Sequence, residues 1–231
     1  QDHIARGDSL ADAWDHLAAL AHYRQAAAAG SYAASWKAAG AAIDVAKQLG
    51  EDQRALRDSL YAAARTYAEA AVAADSLGAD GHFMLAQALG RLSLTRGGKD
   101  RLRDGRRIYA EAARALELDP LHDGAHHVLG AWHAEVKRLS GLTRTLAKLF
   151  LGGGFLGRAH WDSAVVHLER AVELRPTYVF HRLELAQVYL DRNRRADARA
   201  QLERLLALPA TDVRDRVYKE EAARLLEGLK P

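Results

Sequence analysis

The sequence predicts an all-α protein built from antiparallel pairs of helices. Alanine, the strongest helix former, is frequent, whereas proline, the strongest helix breaker, occurs only four times. No segment shows the sustained alternation of apolar and polar residues that marks a half-buried strand. Three segments of similar sequence, each placed at a break between helices, indicate a repeated hairpin. We therefore expect helices almost throughout the chain and essentially no sheet.

The three similar segments span residues 75–89, 119–133 and 175–189. In each, one small residue stands five positions before the junction and another follows ten positions after it. These small residues are Ala71, Ala115 and Ala171 before the junctions and Ala86, Gly130 and Ala186 after them. Since small side chains allow two helices to cross closely, we expect all six to be buried at helix crossings. The repeat junctions are predicted near residues 76, 120 and 176.

The helix boundaries follow from the breaks in the pattern. Dipeptides that commonly end helices are found at Leu49–Gly50, Asp119–Pro120 and Arg175–Pro176. The expected helices span roughly residues 8–28, 31–48, 52–75, 79–95, 102–118, 122–140, 142–151, 159–174, 178–192, 195–207 and 212–228.

The repeated unit resembles the tetratricopeptide repeat, a helical hairpin of about 34 residues. That repeat has small residues at its eighth, twentieth and twenty-seventh positions and proline at its last. Trp36 and Gly40 keep the spacing of its fourth and eighth positions. Ala164, Ala171 and Pro176 keep the spacing of the later small residues and of the proline. The resemblance implies an α-α superhelix of tetratricopeptide-like hairpins.

The junctions are further apart than one such repeat, which indicates insertions. They are separated by 44 and 56 residues, compared with about 34 in the tetratricopeptide repeat. The excess falls between paired helices, at about residues 94–106 and 141–160, where it leaves the stacking face of the hairpins unchanged. We expect a single tetratricopeptide-like domain over residues 1–231.

The histidines of the stretch "GAHHVLGAWHAEVKRL" are candidates for packing, metal binding or ligand contact. His126 and His133 fall at the fourth and eleventh positions of their unit, where aromatic side chains pack, and we expect that role for both. A zinc site would use His122 and His126, which are four residues apart, but the chain has no cysteine to complete a structural site. We expect no metal. His127 is predicted to face the concave groove.

Composition limits the other possibilities. The absence of cysteine excludes disulfides and thiolate chemistry. The longest uncharged apolar stretch, from Leu149 to Gly157, is too short to span a membrane, so no transmembrane segment is expected. The net charge is only +3 and basic residues are spread among the acids, which indicates solvated helix faces and no nucleic-acid partner. A start at Gln1 is expected after signal-peptide removal but also from an arbitrary truncation, so the location stays open, with export to the periplasm favoured over the cytoplasm.

The sequence also resembles the regulator of microtubule dynamics family, whose members carry a degenerate tetratricopeptide domain. The resemblance covers about residues 120–229 and is weaker before residue 70, where Trp36 matches an early helix. It rests on "HHVLGAWHAEVKRLS", "RTLAKLFLGGGF" and "WDSAVVHLERAVELRP". The matching residues are Leu129, Gly130, Trp132, Ala147, Leu149, Phe150, Trp161 and Ala164. The resemblance implies partner binding and tethering, with lipid binding as an alternative. The anchor helix and acidic contact motif of animal members are not found here, so organelle tethering is not carried over.

The main functional hypothesis is a non-enzymatic scaffold that binds a protein or peptide partner in a concave groove. Neither a catalytic residue nor a cofactor is expected. Asn193 is the only asparagine, so a carboxylate clamp or an asparagine ladder along a peptide is not expected. The predicted groove residues are Lys37, Asp44, Phe83, Gln87, Arg91, His127, Glu135, Gln187 and Asp191.

The insertion at residues 141–161 suggests an alternative function, a lipid-binding or lipid-transfer module. This segment carries many large apolar side chains, which either cover the core or form the lid of an apolar cavity. The residues expected at such a cavity are Trp132, Leu149, Phe150, Phe155 and Trp161. A zinc-dependent enzyme is the third hypothesis.

Overall fold

A computed structural model of the chain describes residues 2–95, 97–150 and 152–229. These residues form α-helices and two short 3₁₀ helices, Glu51–Gln53 and Gly153–Arg158, and none of them is in a strand. The all-α prediction is therefore confirmed. The helices are α1 (His3–Asp12), α2 (His16–Ala27), α3 (Tyr32–Gln48), α4 (Arg54–Ala74), α5 (Ala79–Ser93), α6 (Gly98–Leu118), α7 (Asp123–Arg138), α8 (Gly141–Phe150), α9 (Trp161–Leu174), α10 (Val179–Asp191), α11 (Arg195–Ala207) and α12 (Asp215–Glu227). Among these, no helix has both the length and the apolar character needed to cross a bilayer.

The single helix predicted over residues 8–28 is wrong, because a turn separates α1 from α2. Trp14 adopts a left-handed backbone with φ of 62°. The amide of Asp15 donates to the carbonyl of Leu10 at 2.9 Å, which closes α1 in a Schellman-type end. The Asp15 side chain then accepts from the amide of Ala18 at 3.0 Å and caps α2.

The first insertion also differs from the prediction. Helix α6 begins at Gly98 rather than near residue 102, so most of the segment 94–106 extends this helix. Arginine, lysine and leucine, which are good helix formers, occupy most of these positions.

The chain divides into two compact units, Gln1–Pro120 and Leu121–Pro231. The junctions predicted near residues 76, 120 and 176 lie between α4 and α5, between α6 and α7, and between α9 and α10. A single domain over residues 1–231 stays a prediction.

In unit 1 each helix packs against the next, from α1 to α6. The buried cluster formed by α2, α3, α4 and α5 is rich in alanine, with Ala38, Ala42 and Ala46 fully buried on one face of α3. Because alanine adds little width, the helix axes approach closely, and the predicted crossing residues Ala71 and Ala86 are indeed fully buried.

In unit 2 helix α7 pairs with α9 rather than with α8. Gly130 is buried at this contact, where a Cβ would lie 2.6 Å from Leu168 Cγ and 3.1 Å from the carbonyl oxygen of Ala164. Only glycine permits so close an approach. The prediction that the crossing residues are buried is confirmed here as well, since Ala171 and Ala186 have no exposed surface. Along the chain, α8 and the second 3₁₀ helix are thus inserted between α7 and α9, which pair with each other.

Candidate functional site

A cleft of about 440 Å³ lies among α1, α2 and α3 in unit 1. The residues that α3 contributes lie on one helix face, because they recur at intervals of three or four positions. They are Trp36, Lys37, Gly40, Ala41 and Asp44. The cleft is lined by Asp8, Ala11, Asp12, His16, Tyr23, Trp36, Lys37, Gly40, Ala41 and Asp44. It therefore combines charged groups with aromatic and small apolar ones.

One side of the cleft is fixed by a network around Asp8. Its carboxylate accepts a hydrogen bond from the Tyr23 hydroxyl at 2.7 Å and pairs with the Lys37 ammonium. Burial alone would raise the pKa of Asp8, but the hydrogen bonds from Lys37 and Tyr23 outweigh it and hold this pKa below its ordinary value. Lys37 Nζ also lies 5.4 Å from the centre of the Trp36 ring, a cation–π distance. Lys37 is thus held between a carboxylate and an aromatic ring.

The cleft retains negative charge beyond this pair. Asp44 accepts from Lys47 Nζ at 2.9 Å. The side chain of Asp12 is exposed and makes no hydrogen bond or ion pair to another residue in the part of the chain that the structure describes. Since Lys37 already neutralises Asp8, the carboxylate of Asp12 makes the field of the cleft favourable for a cation.

The predicted groove residues are only partly brought together. Lys37 and Asp44 both line the cleft, two helical turns apart on α3. Three others lie on α5 in the same unit, partly buried and outside the cleft lining: Phe83, Gln87 and Arg91.

In unit 2 the predicted groove residues Glu135 and Asp191 bind the same arginine. Arg138 donates to Glu135 Oε1 at 2.6 Å and to Asp191 Oδ2 at 2.9 Å, and Glu184 lies 3.5 Å away. Burial alone would lower the pKa of Arg138, but the hydrogen bonds with the two carboxylates outweigh it and raise this pKa. Gln187, on the same face of α10, donates to Glu221 at 2.8 Å. These side chains are bonded within their own unit.

His127 belongs to a hydrogen-bonded chain that sequence reasoning missed. His181 Nε2 lies 2.9 Å from Asp123 Oδ2, and His181 Nδ1 lies 3.0 Å from His127 Nδ1. Burial lowers the pKa of His181 despite the opposing effect of Asp123, so the ring is neutral at pH 7. A carboxylate can only accept, so His181 donates to Asp123 and accepts from His127. His181 stands 54 residues from His127 in the chain, and no local pattern marks it as a partner.

His126 and His133 pack as predicted, on a third histidine. The His133 ring is buried, stacks on His167 with centroids 6.0 Å apart, and lies edge-on to Trp132. His126 Nδ1 lies 3.0 Å from His167 Nδ1. Burial lowers the pKa of both His133 and His167 to about 4, and neighbouring His160 and His126 add to the effect. Within the described residues no group of three His, Asp or Glu is arranged to hold a metal ion.

The expected apolar cavity residues are only partly brought together in the structure. Trp132 is buried, and its ring centroid lies 6.1 Å from that of Phe155. Trp161 packs against the unit 2 core. Leu149 does not join them, because 69% of its surface is exposed on the outer side of α8. The side chain of Phe150 lies outside the described part of the structure.

Consecutive antiparallel hairpins with small residues at their crossings define a helical-repeat scaffold of the tetratricopeptide type. A thermophilic tetratricopeptide-repeat protein of Thermus thermophilus shares this fold with a TM-score of 0.67. It is 20% identical, and the match covers 97% of this chain and 98% of that protein. Residues 3–230 match the family described as regulator of microtubule dynamics protein 1-3, and the chain belongs to this family. The match confirms the resemblance in the C-terminal half and extends it through unit 1.

Two relatives are both named regulator of microtubule dynamics protein 1. The Caenorhabditis elegans protein is 26% identical over 129 residues, which is 56% of this chain and 56% of that protein. The Bos taurus protein is 25% identical over 194 residues, which is 84% of this chain and 60% of that protein. The chain thus spans little more than half the length of these relatives. The family and the fold support a helical-repeat scaffold.

Proposed function

We propose that this protein is a scaffold that binds a peptide segment of a protein partner in the cleft of unit 1. The observation that carries the proposal is the cleft itself, which places charged and aromatic side chains of three helices around one concave surface. Its volume of about 440 Å³ falls within the range of roughly 300–1,000 Å³ typical of ligand sites.

The groups in the cleft are suited to complementary tasks. The partly buried Trp36 offers apolar area at little entropic cost, and rigid aromatic groups of this kind often anchor interfaces. Asp12 offers a carboxylate that orients a basic or hydrogen-bonding group of the peptide. The Asp8–Lys37 pair is already satisfied and serves to hold the walls in place.

Gly40 permits a direct test, because a larger side chain at this position would fill the cleft. A Cβ on Gly40 would meet only Met84, at 3.5 Å, which is ordinary van der Waals contact. Gly40→Leu should therefore keep the helix and occupy the binding space. Gly90→Leu is the matched control, since a Cβ on Gly90 would meet nothing within 4 Å and Gly90 lies outside the cleft.

The measurement begins with selection of binders from a random peptide library displayed on phage. The affinity of a selected peptide is then determined by fluorescence polarisation. We expect Gly40→Leu to weaken binding at least about tenfold and Gly90→Leu to leave it unchanged. Thermal unfolding of all three proteins verifies that they are folded. The proposal is wrong if no peptide binds the parent protein, or if both variants bind as the parent does.

A further inference from the structure

Helix α8 carries a row of exposed leucines. Leu142, Leu146 and Leu149 expose 71%, 46% and 69% of their surface. Because residues three and four apart lie on the same side of an α-helix, the three side chains form one continuous apolar face. A contiguous exposed face of this kind differs from scattered surface leucines and indicates an interaction site.

The opposite side of α8 is occupied by its own unit. Ala147, about 140° around the helix from Leu142, is buried. The chain turns back through Gly152, whose φ is 68°, and the second 3₁₀ helix then packs against α8. Gly153 approaches so closely that a Cβ there would lie 2.8 Å from the carbonyl oxygen of Ala147. This contact orients α8 with its leucine face directed away from its own unit.

The charge of the segment indicates what the leucine face meets. Residues 140–161 contain no aspartate or glutamate, although the chain as a whole has 30 acids. The same stretch carries the basic residues Arg144, Lys148 and Arg158. A short helix with leucines on one side, basic residues elsewhere and no acids is the pattern of a helix that lies in the interface of an anionic bilayer.

A second copy of the chain fits this face less well. Three leucine side chains supply far less area than the roughly 800 Å² that each partner of a stable complex buries. Two copies would also bring two acid-free, basic segments together, and like charges repel.

We propose that α8 docks on the surface of an anionic lipid bilayer. Leu142, Leu146 and Leu149 enter the boundary between headgroups and acyl chains, and Arg144 and Arg158 interact with lipid phosphate and carboxylate groups. Docking is reversible, because three leucines on ten residues provide a single weak anchor. It requires no lipid-binding cavity and is independent of peptide binding in the unit 1 cleft.

The test is cosedimentation of the purified protein with two kinds of vesicle. One kind is pure phosphatidylcholine, and the other contains about 30% phosphatidylserine. The variant replaces Leu142, Leu146 and Leu149 with glutamine, a good helix former. The matched control replaces three exposed leucines of unit 1, Leu17, Leu56 and Leu77, with glutamine. Circular dichroism melting of each protein verifies that the fold is kept, and sedimentation velocity reports the oligomeric state.

We expect the parent and the control to bind the anionic vesicles and the α8 variant to bind at least about tenfold more weakly. Pure phosphatidylcholine vesicles should bind poorly, and added salt should weaken binding to the anionic ones. The proposal is overturned if the parent does not bind anionic vesicles, if it binds both kinds equally, or if the α8 variant binds as the control does. A dimer that dissociates only in the α8 variant would instead identify the face as a contact between two copies.

Discussion

In unit 1, two polar residues of the predicted groove border a cleft, whereas in unit 2 two of the predicted groove residues bind the same arginine. Lys37 and Asp44 line the unit 1 cleft and pair with Asp8 and Lys47, but the side chain of Asp12 beside them has no hydrogen-bonding or ion-pair partner among the described residues. In unit 2, by contrast, Glu135 and Asp191 both bind Arg138. Both units therefore pair their predicted groove residues internally, and unit 1 differs in leaving the Asp12 carboxylate beside its cleft without such a pair.

The difference follows from which side chains lie opposite the groove positions. Around α7 and α10 of unit 2, the arginine and histidine side chains reach the carboxylates and satisfy them. Satisfied polar groups contribute to stability, and a group left unpaired at a surface remains available for a ligand. Changes in unit 2 should therefore act mainly on stability, and changes in the unit 1 cleft mainly on binding.

The largest expected effect is the response of unit 2 to acid. His133 and His167 have pKa values of about 4 in the folded protein, compared with about 6.5 in an unfolded chain. The unfolded chain binds more protons between these values, so stability rises with pH across this window and falls on acidification. From pH 6.5 to pH 4.5 the two rings together should lower the free energy of unfolding by about 4 kcal/mol.

Urea unfolding at intervals of half a pH unit measures this slope. The double variant His133→Phe/His167→Phe should show a flatter profile over the same range, whatever its stability at pH 7. Equal slopes in the parent and the double variant would show that other groups dominate the acid response.

A medium effect is expected for His181→Phe. The substitution keeps an aromatic ring against Tyr178 but removes the donor to Asp123 and the acceptor for His127. Leaving a partly buried carboxylate without this donor should cost about 2 kcal/mol of unfolding free energy. His16→Phe in the unit 1 cleft is the control, and it should change stability by less than about 0.5 kcal/mol. Chemical denaturation measures both, and similar losses for the two would remove the contrast between the units.

The smallest effect on stability is expected for Asp12→Asn. This carboxylate is exposed, so the melting temperature should hardly change, with less than about 0.5 kcal/mol of difference. The same substitution removes negative charge from the cleft and should weaken the binding of a basic selected peptide several-fold. Fluorescence polarisation with this peptide measures the change, and Asp100→Asn, exposed on α6 outside the cleft, is the control. Unchanged affinity would show that Asp12 does not contribute to the cleft.

Local signals were sufficient for much of the architecture. The recurrence of small residues predicted the buried helix crossings at Ala71 and Gly130. This signal is local, because helices that approach closely exclude larger side chains at the crossing point. The break at Trp14 was missed, since aromatic residues rarely adopt a left-handed backbone and Asp15 was not recognised as a helix cap. The Arg138 network joins Glu135, three residues away on the same helix, to Asp191, which is 53 residues away in the chain, and spacing within one helix does not predict the second bond.

The sequence by itself determined the all-α class, the repeated hairpins and the positions of close helix contact. Each of these depends on propensity or on spacing along one or two adjacent helices, and both can be read from neighbouring residues. Only the tertiary structure decided that Lys37 and Asp44 border a cleft, that His181 joins His127 to Asp123, and that the leucines of α8 face outward. Those outcomes depend on which distant side chains the fold brings within about 3–4 Å, and contacts between residues far apart in sequence leave no periodic trace in the chain.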